Sequence, residues 1–209
     1  MIDLHSHILP AMDDGPADME NSLDMARAAS ADGTESLVAV PHFIKGAYEN
    51  EREDILRAVN ELNGELERSG VIINVHPGAE YMLDPDLPRW IKDGRALTIN
   101  DGGKYILVEF PAAGIPPNSE RTLYEIAMQG VIPIIAHPER NADLINLPDL
   151  LFPFLERGAV SQVTAGSLTG LFGRQAWQVG WYYLKKGMCH VIGSDAHSAA
   201  QRVQSLSGA

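Results

Sequence analysis

Short runs of apolar residues recur along the chain, each followed by a longer stretch in which apolar positions return every three or four residues. The runs at 2–4, 36–40, 71–75, 105–109, 131–136, 159–163 and 189–192 read as β-strands. Several, such as Leu37-Val38-Ala39-Val40, carry no polar residue, as strands covered on both faces do. The stretches at 17–31, 49–69, 118–129, 147–157 and 174–186 have helical spacing. Gly33, Gly70, Gly130, Gly158 and Gly187 each fall just past such a stretch, where a left-handed residue closes a helix. Residues 84–103 are rich in Asp, Pro and Gly and read as a short helix plus loop. Strands alternating with helices predict a parallel α/β fold, in one domain spanning residues 1–209.

The polar residues narrow the architecture. His7, His42, Glu80, Glu109, His137 and Asp195 each stand at or just past the carboxyl end of a different predicted strand. An αβ barrel gathers those ends around one mouth, and an open sheet gathers fewer of them. The expected fold is therefore a distorted (β/α)7 barrel.

The 209 residues suffice for one packed core. Sixteen Lys+Arg against 28 Asp+Glu leave a net charge of −12, which argues against non-specific nucleic-acid binding; a phosphate-bearing partner must meet a local positive centre. The single cysteine, Cys189, has no internal partner, and the first residues have neither the basic start nor the apolar run of a signal peptide. No stretch reaches the roughly 18 apolar residues of a membrane span. The expected address is the cytoplasm, without membrane insertion.

His5-Ser6-His7 turns two imidazoles to one side of an extended chain, and Asp14 follows in the next loop. Asp195-Ala196-His197 repeats the spacing after the last strand, which a barrel sets beside the first. Glu109 ends an apolar run, where an unpaired carboxylate is costly to bury. Singly, each group has ordinary uses: a His-x-His pair is commonly surface or packing, and an Asp can cap a helix. Together, His5, His7, Asp14, His42, Glu80, Glu109, His137, Asp195 and His197 suit two or three divalent ions sharing carboxylates, and the lack of thiolates disfavours a structural zinc site. A cysteine-based phosphatase needs an arginine six positions after its nucleophile, but Asp195 stands there relative to Cys189, which reads as a buried structural thiol. Gly166 and Gly170 lack the spacing of a nucleotide-phosphate loop and read as a turn before the next helix. Trp177, Trp181, Tyr182 and Tyr183 read as core or as a contact surface.

The segments His5-Ser6-His7, Asp13-Asp14-Gly15, Pro41-His42, Pro77-Gly78-Ala79-Glu80, Val108-Glu109-Phe110-Pro111, His137-Pro138-Glu139-Arg140-Asn141, residues 164–170 and Ser194-Asp195-Ala196-His197 resemble the motifs of the PHP (polymerase and histidinol phosphatase) superfamily. More narrowly, the chain is similar to the bacterial manganese-dependent protein-tyrosine phosphatases of capsule and exopolysaccharide synthesis, the CpsB/CapC type. The resemblance runs from Met1 to about Arg202. It implies that the nine residues hold a trinuclear centre, with Mn2+ favoured over Fe, Co, Zn or Mg, and that Arg140 and Arg202 bind the substrate phosphate. It also implies that the substrate is a phosphotyrosine-bearing protein, expected to be a bacterial tyrosine kinase. Four positions depart from the usual pattern: Phe43 where a second histidine is common, Ala79 for glutamine, Met82 for arginine, and Val203 after Arg202 for proline. They bear on substrate preference rather than on the metals. Relatives usually carry a further helical segment after the Asp-x-His loop, which the chain up to Ala209 is expected to lack or to receive otherwise.

Clustered divalent ions make hydroxide available from water near neutral pH and offset phosphoryl charge. A tyrosyl phenolate, with an ordinary pKa of about 10, leaves without a strong general acid. Two readings stand beside the tyrosine phosphatase: a small-molecule phosphatase acting on histidinol phosphate or a nucleotide, and a non-catalytic metal-binding regulatory domain.

Overall fold

The computed structural model describes residues 1–199 and 205–208. It has a mixed α/β fold built on parallel strands: β1 (Ile2–Ser6), β2 (Ser36–Ala39), β3 (His42–Ile44), β4 (Tyr48–Glu49), β5 (Asn74–Pro77), β6 (Glu80–Met82), β7 (Tyr105–Glu109), β8 (Ile132–Ala136), β9 (Val160–Thr164) and β10 (Val191–Gly193). The helices are α1 (Met19–Ala31), α2 (Arg52–Arg68), α3 (Leu87–Lys92), α4 (Ser119–Ala127), α5 (Ala142–Asn146), α6 (Phe152–Glu156), α7 (Ala165–Leu168) and α8 (Gly173–Lys186). Two sheets form, ordered β1-β2-β5 and β10-β9-β8-β7-β6-β3-β4; β3 and β4 pair antiparallel and the other pairs are parallel. The expected single ring of strands is thus not drawn by continuous pairing. One parallel bridge, Ser6 to Ala196, joins β1 to the residues after β10.

The helices follow from capping and spacing. Asp18 accepts from the Asn21 amide and starts α1, and α2 buries Ile55, Val59, Leu62 and Leu66, one face at helical spacing. All five expected capping glycines have positive φ, from 66° at Gly187 to 91° at Gly158. Sequence and structure differ where two devices meet in a few residues. The expected strand at 71–75 begins only at Asn74, because Val71 N–H still closes α2 onto the Leu66 carbonyl. The expected helix at 147–157 is a 3-10 turn, Pro148–Leu151, running into α6, since Pro148 and Pro153 donate no N–H. Strands β3, β4 and β6 were not expected: each has only two or three residues.

Strand β1 carries a bulge that decides where its histidines face. Asp3 pairs with Leu37, but Ser6 pairs with Ala39, so the register slips by one residue between them. Leu37 and Ala39 face the main, helix-covered core, whereas Val38 and Val40 face a second cluster with Leu107, Ile134 and Ala136, beside Leu4. That second cluster draws residues from both sheets, which enclose it between them. Without the slip, His5 and His7 would follow Asp3 to the helix side; with it, both turn to the inner side.

Candidate metal centre

The nine sequence-predicted groups meet at the strand ends above the inner cluster. His5 and His7 come from the bulged end of β1, Asp14 from the loop after it, and His42 and Glu80 from the first residues of β3 and β6. Glu109 ends β7, His137 follows β8, and Asp195 and His197 follow β10. Their ligand-type atoms form four groups, each within 4.8 Å: His7/Asp14/His42/His197, His5/Glu80/His137, His5/His7/Asp195 and His42/Glu80/Glu109. All nine residues appear in these groups.

The donors crowd around one carboxylate. His5 Nε2 and His7 Nε2 lie 3.1 Å apart and both approach Glu80 Oε2, at 3.4 and 3.3 Å. His42 Nδ1 approaches the same oxygen at 3.1 Å, yet neither Glu80 Oε2 nor His42 Nδ1 finds a hydrogen bond of acceptable geometry among the described residues. A buried carboxylate oxygen with imidazole nitrogens converging on it is the arrangement a shared divalent ion satisfies. His137 Nε2 meets Glu80 Oε1 at 2.9 Å and Glu109 Oε2 at 3.3 Å, and His197 Nε2 meets Asp14 Oδ1 at 3.2 Å. An all-nitrogen-and-oxygen donor set fits borderline or hard divalent ions.

The protonation states describe the same basin of negative potential. Burial alone would push the His7 imidazole down, but its bond to Asp13 and the nearby Glu80 carry it up to about 10. Burial and Arg140 likewise oppose a charge on His137, and Glu109 and Glu80 outweigh them, raising it to about 9. Burial opposes ionisation of Glu80 and Asp195, yet the histidines around both, and Arg140 beside Asp195, hold the two carboxyls below the ordinary range. Asp14 is held low chiefly by His197.

A supporting layer, which no spacing pattern announces, orients these groups. Asp13 Oδ2 lies 2.7 Å from His7 Nδ1 and accepts the His42 amide, while its Oδ1 accepts the Gly15 amide. Gln162 on β9 meets His5 Nδ1 at 2.9 Å. A Cβ on Gly193 would stand 2.5 Å from the Gln162 amide nitrogen and 2.9 Å from His5 Cβ, so this close approach requires glycine. Asp3, fully buried, accepts from the Ser194 amide and hydroxyl and the His5 amide, and thereby clasps β1 to the loop that presents Asp195. His137 and Asp195 both have left-handed backbones, with φ of 32° and 52°, a strain that marks functional corners. Asp3 and Gln162 stand out in the sequence only as polar residues inside strand runs, and Asp13 only as the first half of an Asp-Asp-Gly turn.

Arg140 Nη1 donates to Asp195 Oδ2 at 2.7 Å, and its guanidinium lies 4.7 Å from the Phe172 ring centre. Gly166 makes room for that ring: a Cβ there would stand 2.8 Å from it. Arg202 lies outside the described residues. Cys189 is half-buried and precedes β10 rather than lying inside it; burial raises its thiol, and its Sγ–H donates to the Val191 carbonyl. Of the aromatic group on α8, Tyr183 is buried, while Trp177 and Trp181 are exposed. No helix among the described residues is long and apolar enough to cross a membrane.

The tyrosine-protein phosphatase YwqE of Bacillus subtilis is 40% identical over 202 residues, covering 97% of this chain and 79% of YwqE. Tyrosine-protein phosphatase CpsB of Streptococcus agalactiae serotype III is 26% identical over 203 residues, covering 95% of this chain and 83% of CpsB. Among solved structures, a chain from the crystal structures of YwqE from Bacillus subtilis and CpsB from Streptococcus pneumoniae, described as unique metal-dependent tyrosine phosphatases, superposes with a TM-score of 0.95 at 39% identity. That match covers 100% of this chain and 84% of the other. A histidinol phosphatase structure from Listeria monocytogenes, with a TM-score of 0.58 at 10% identity over 94% of this chain and 95% of its own, shares the fold alone. The model of the family "Capsular polysaccharide synthesis, CpsB/CapC" matches residues 1–209, and the chain belongs to that family.

Proposed function

We propose that this protein is a metal-dependent protein-tyrosine phosphatase of capsular polysaccharide synthesis. The observation that carries the reading is the convergence of nine nitrogen and oxygen donors beside one arginine, in a chain whose fold superposes on metal-dependent tyrosine phosphatases with a TM-score of 0.95. When bound, divalent ions, with Mn2+ favoured and two or three per chain, supply activated water and offset the phosphoryl charge. His5, His7, Asp14, His42, Glu80, Glu109, His137, Asp195 and His197 would hold them, Glu80 belonging to two of the four groups. Arg140 orients the phosphate and gains strength as charge grows on its oxygens, held meanwhile by Asp195 and Phe172. Arg202, outside the described residues, is the second residue assigned to the phosphate. The phenolate departs without a protein acid.

Several finer readings belong to this proposal. The two sheets are arcs of one distorted seven-stranded barrel: β2 and β3 are one bent strand and β5 and β6 another, since Ser36 to Asn74 and His42 to Glu80 keep one register across the bends at Pro41 and Gly78. Residues 1–209 act as one domain, in the cytoplasm, on a phosphorylated bacterial tyrosine kinase. The reading is tested by phosphate release from phosphotyrosyl peptides, histidinol phosphate and nucleotides, with and without manganese. Manganese-dependent release confined to phosphotyrosine is expected; preference for histidinol phosphate or a nucleotide, or metal binding with no turnover, overturns it.

A further inference from the structure

Among the ligand-type residues lies an open recess of about 350 Å3, whose lining combines Met82, Phe110 and Ala112 with Glu109, His137, Arg140 and Asn141. Its apolar wall is built on fixed backbone. Leu83 N–H donates to the Glu109 carbonyl at 2.9 Å, Asn141 Nδ2 to the Pro111 carbonyl at 2.8 Å, and Ala142 N–H to the Ala112 carbonyl at 2.9 Å. Phe110 itself is anchored behind the wall, its ring 5.4 Å from that of Phe154. Met82, at the end of β6, contributes a thioether to the lining.

We propose that this recess seats the aromatic ring of the phosphotyrosyl side chain, with its phosphate turned toward Glu109, His137 and Arg140. The inference rests on the phosphatase reading above and adds the residues that select the leaving group. The volume admits one aromatic ring together with its phosphate. The apolar lining residues sit on backbone that is already hydrogen-bonded, so a ring entering the recess leaves water without ordering new segments. Arg140, in the same lining, meets the phosphate, which fixes the ring and the phosphoryl group in one orientation. Phosphoserine has no ring to fill the space.

The test compares two non-hydrolysable phosphonates on the manganese-loaded protein. Phenylphosphonate is expected to bind about tenfold or more tighter than methylphosphonate, the scale of burying one ring. Ala112→Leu, from an exposed turn into the recess, should cut that ratio at least fivefold and leave methylphosphonate affinity and metal content unchanged. Met82→Ala, which widens the recess, should lower the ratio in the same direction and serves if the first variant does not fold. An unchanged ratio in a folded variant, or an equal loss for both ligands, overturns the assignment of the recess. If the wild-type protein fails to hydrolyse phosphotyrosyl peptides yet shows the ratio and its loss, the phosphatase reading falls and the ring site stands.

Discussion

Arg140→Ala isolates the phosphate-binding step from the metals. Among the described residues the guanidinium donates a charge-assisted hydrogen bond, 2.7 Å to Asp195 Oδ2, and stacks 4.7 Å from the Phe172 ring centre. Asp195 keeps His5 at 3.4 Å and His7 at 3.5 Å after the arginine is gone, so its charge stays compensated. The cost to folding is then about 1–2 kcal/mol, a Tm drop of roughly 2–8 °C in a chain of this size. The cost to catalysis is larger, because a preformed donor facing developing charge contributes about 2.7–4 kcal/mol, or 10²–10³ in kcat/KM. Steady-state kinetics on a phosphotyrosyl peptide, with metal analysis and a melting curve on the same preparation, separates these effects. Arg140→Lys should recover only part of the loss, since an ammonium keeps the charge and loses the fork. Turnover within threefold of wild type would remove Arg140 from phosphate binding. A fall in metal content matching the fall in activity would mean that the arginine acts through Asp195 instead.

Glu80→Ala should reduce bound metal by more than one ion per chain, because Glu80 belongs to two of the ligand groups; an unchanged count by elemental analysis rejects the shared carboxylate. Metal removal exposes a sign in the pH dependence. His7 and His137, raised from 6.5 to about 10 and about 9, contribute stability that is whole below pH 6.5 and lost as pH climbs through 9 to 10, so the metal-free Tm should fall across that window and metal binding at pH 7 should release protons. A flat metal-free melting profile from pH 7 to 10 contradicts this. Gly193→Ala drives a Cβ to 2.5 Å from the Gln162 amide and should lower both Tm and metal affinity, read by calorimetry and metal titration; wild-type values in both would show that the approach is not needed. Cys189→Ser should leave kcat/KM unchanged, and complete inactivation of the folded variant would restore a thiol mechanism.

Eight of the nine groups that meet in the candidate centre were legible in the sequence because each stands at a strand end or in an i, i+2 pair, and both patterns carry geometry with them; Asp14 was read only from the loop that follows His5 and His7. The five capping glycines were legible for a similar reason, since a left-handed residue admits few others. Asp3, Asp13 and Gln162 were not legible as supports: what they do depends on Ser194, His7 and His5 arriving from elsewhere. Nor could the bends at Pro41 and Gly78 be read, since local periodicity marks a run's ends and not the partner that keeps its register. The bulge in β1 had no local signature either; it exists only relative to β2.

The clasp of Asp3 onto Ser194 spans 191 residues, and this has a bearing on synthesis. In a growing chain His5 and His7 emerge well before Asp195 and His197, with almost the length of that clasp between them. The centre therefore cannot be completed piecemeal during elongation. Its closure coincides with the docking of β10 and the loop after it beside β1, so a metal count on a purified sample would also report whether these two segments have met.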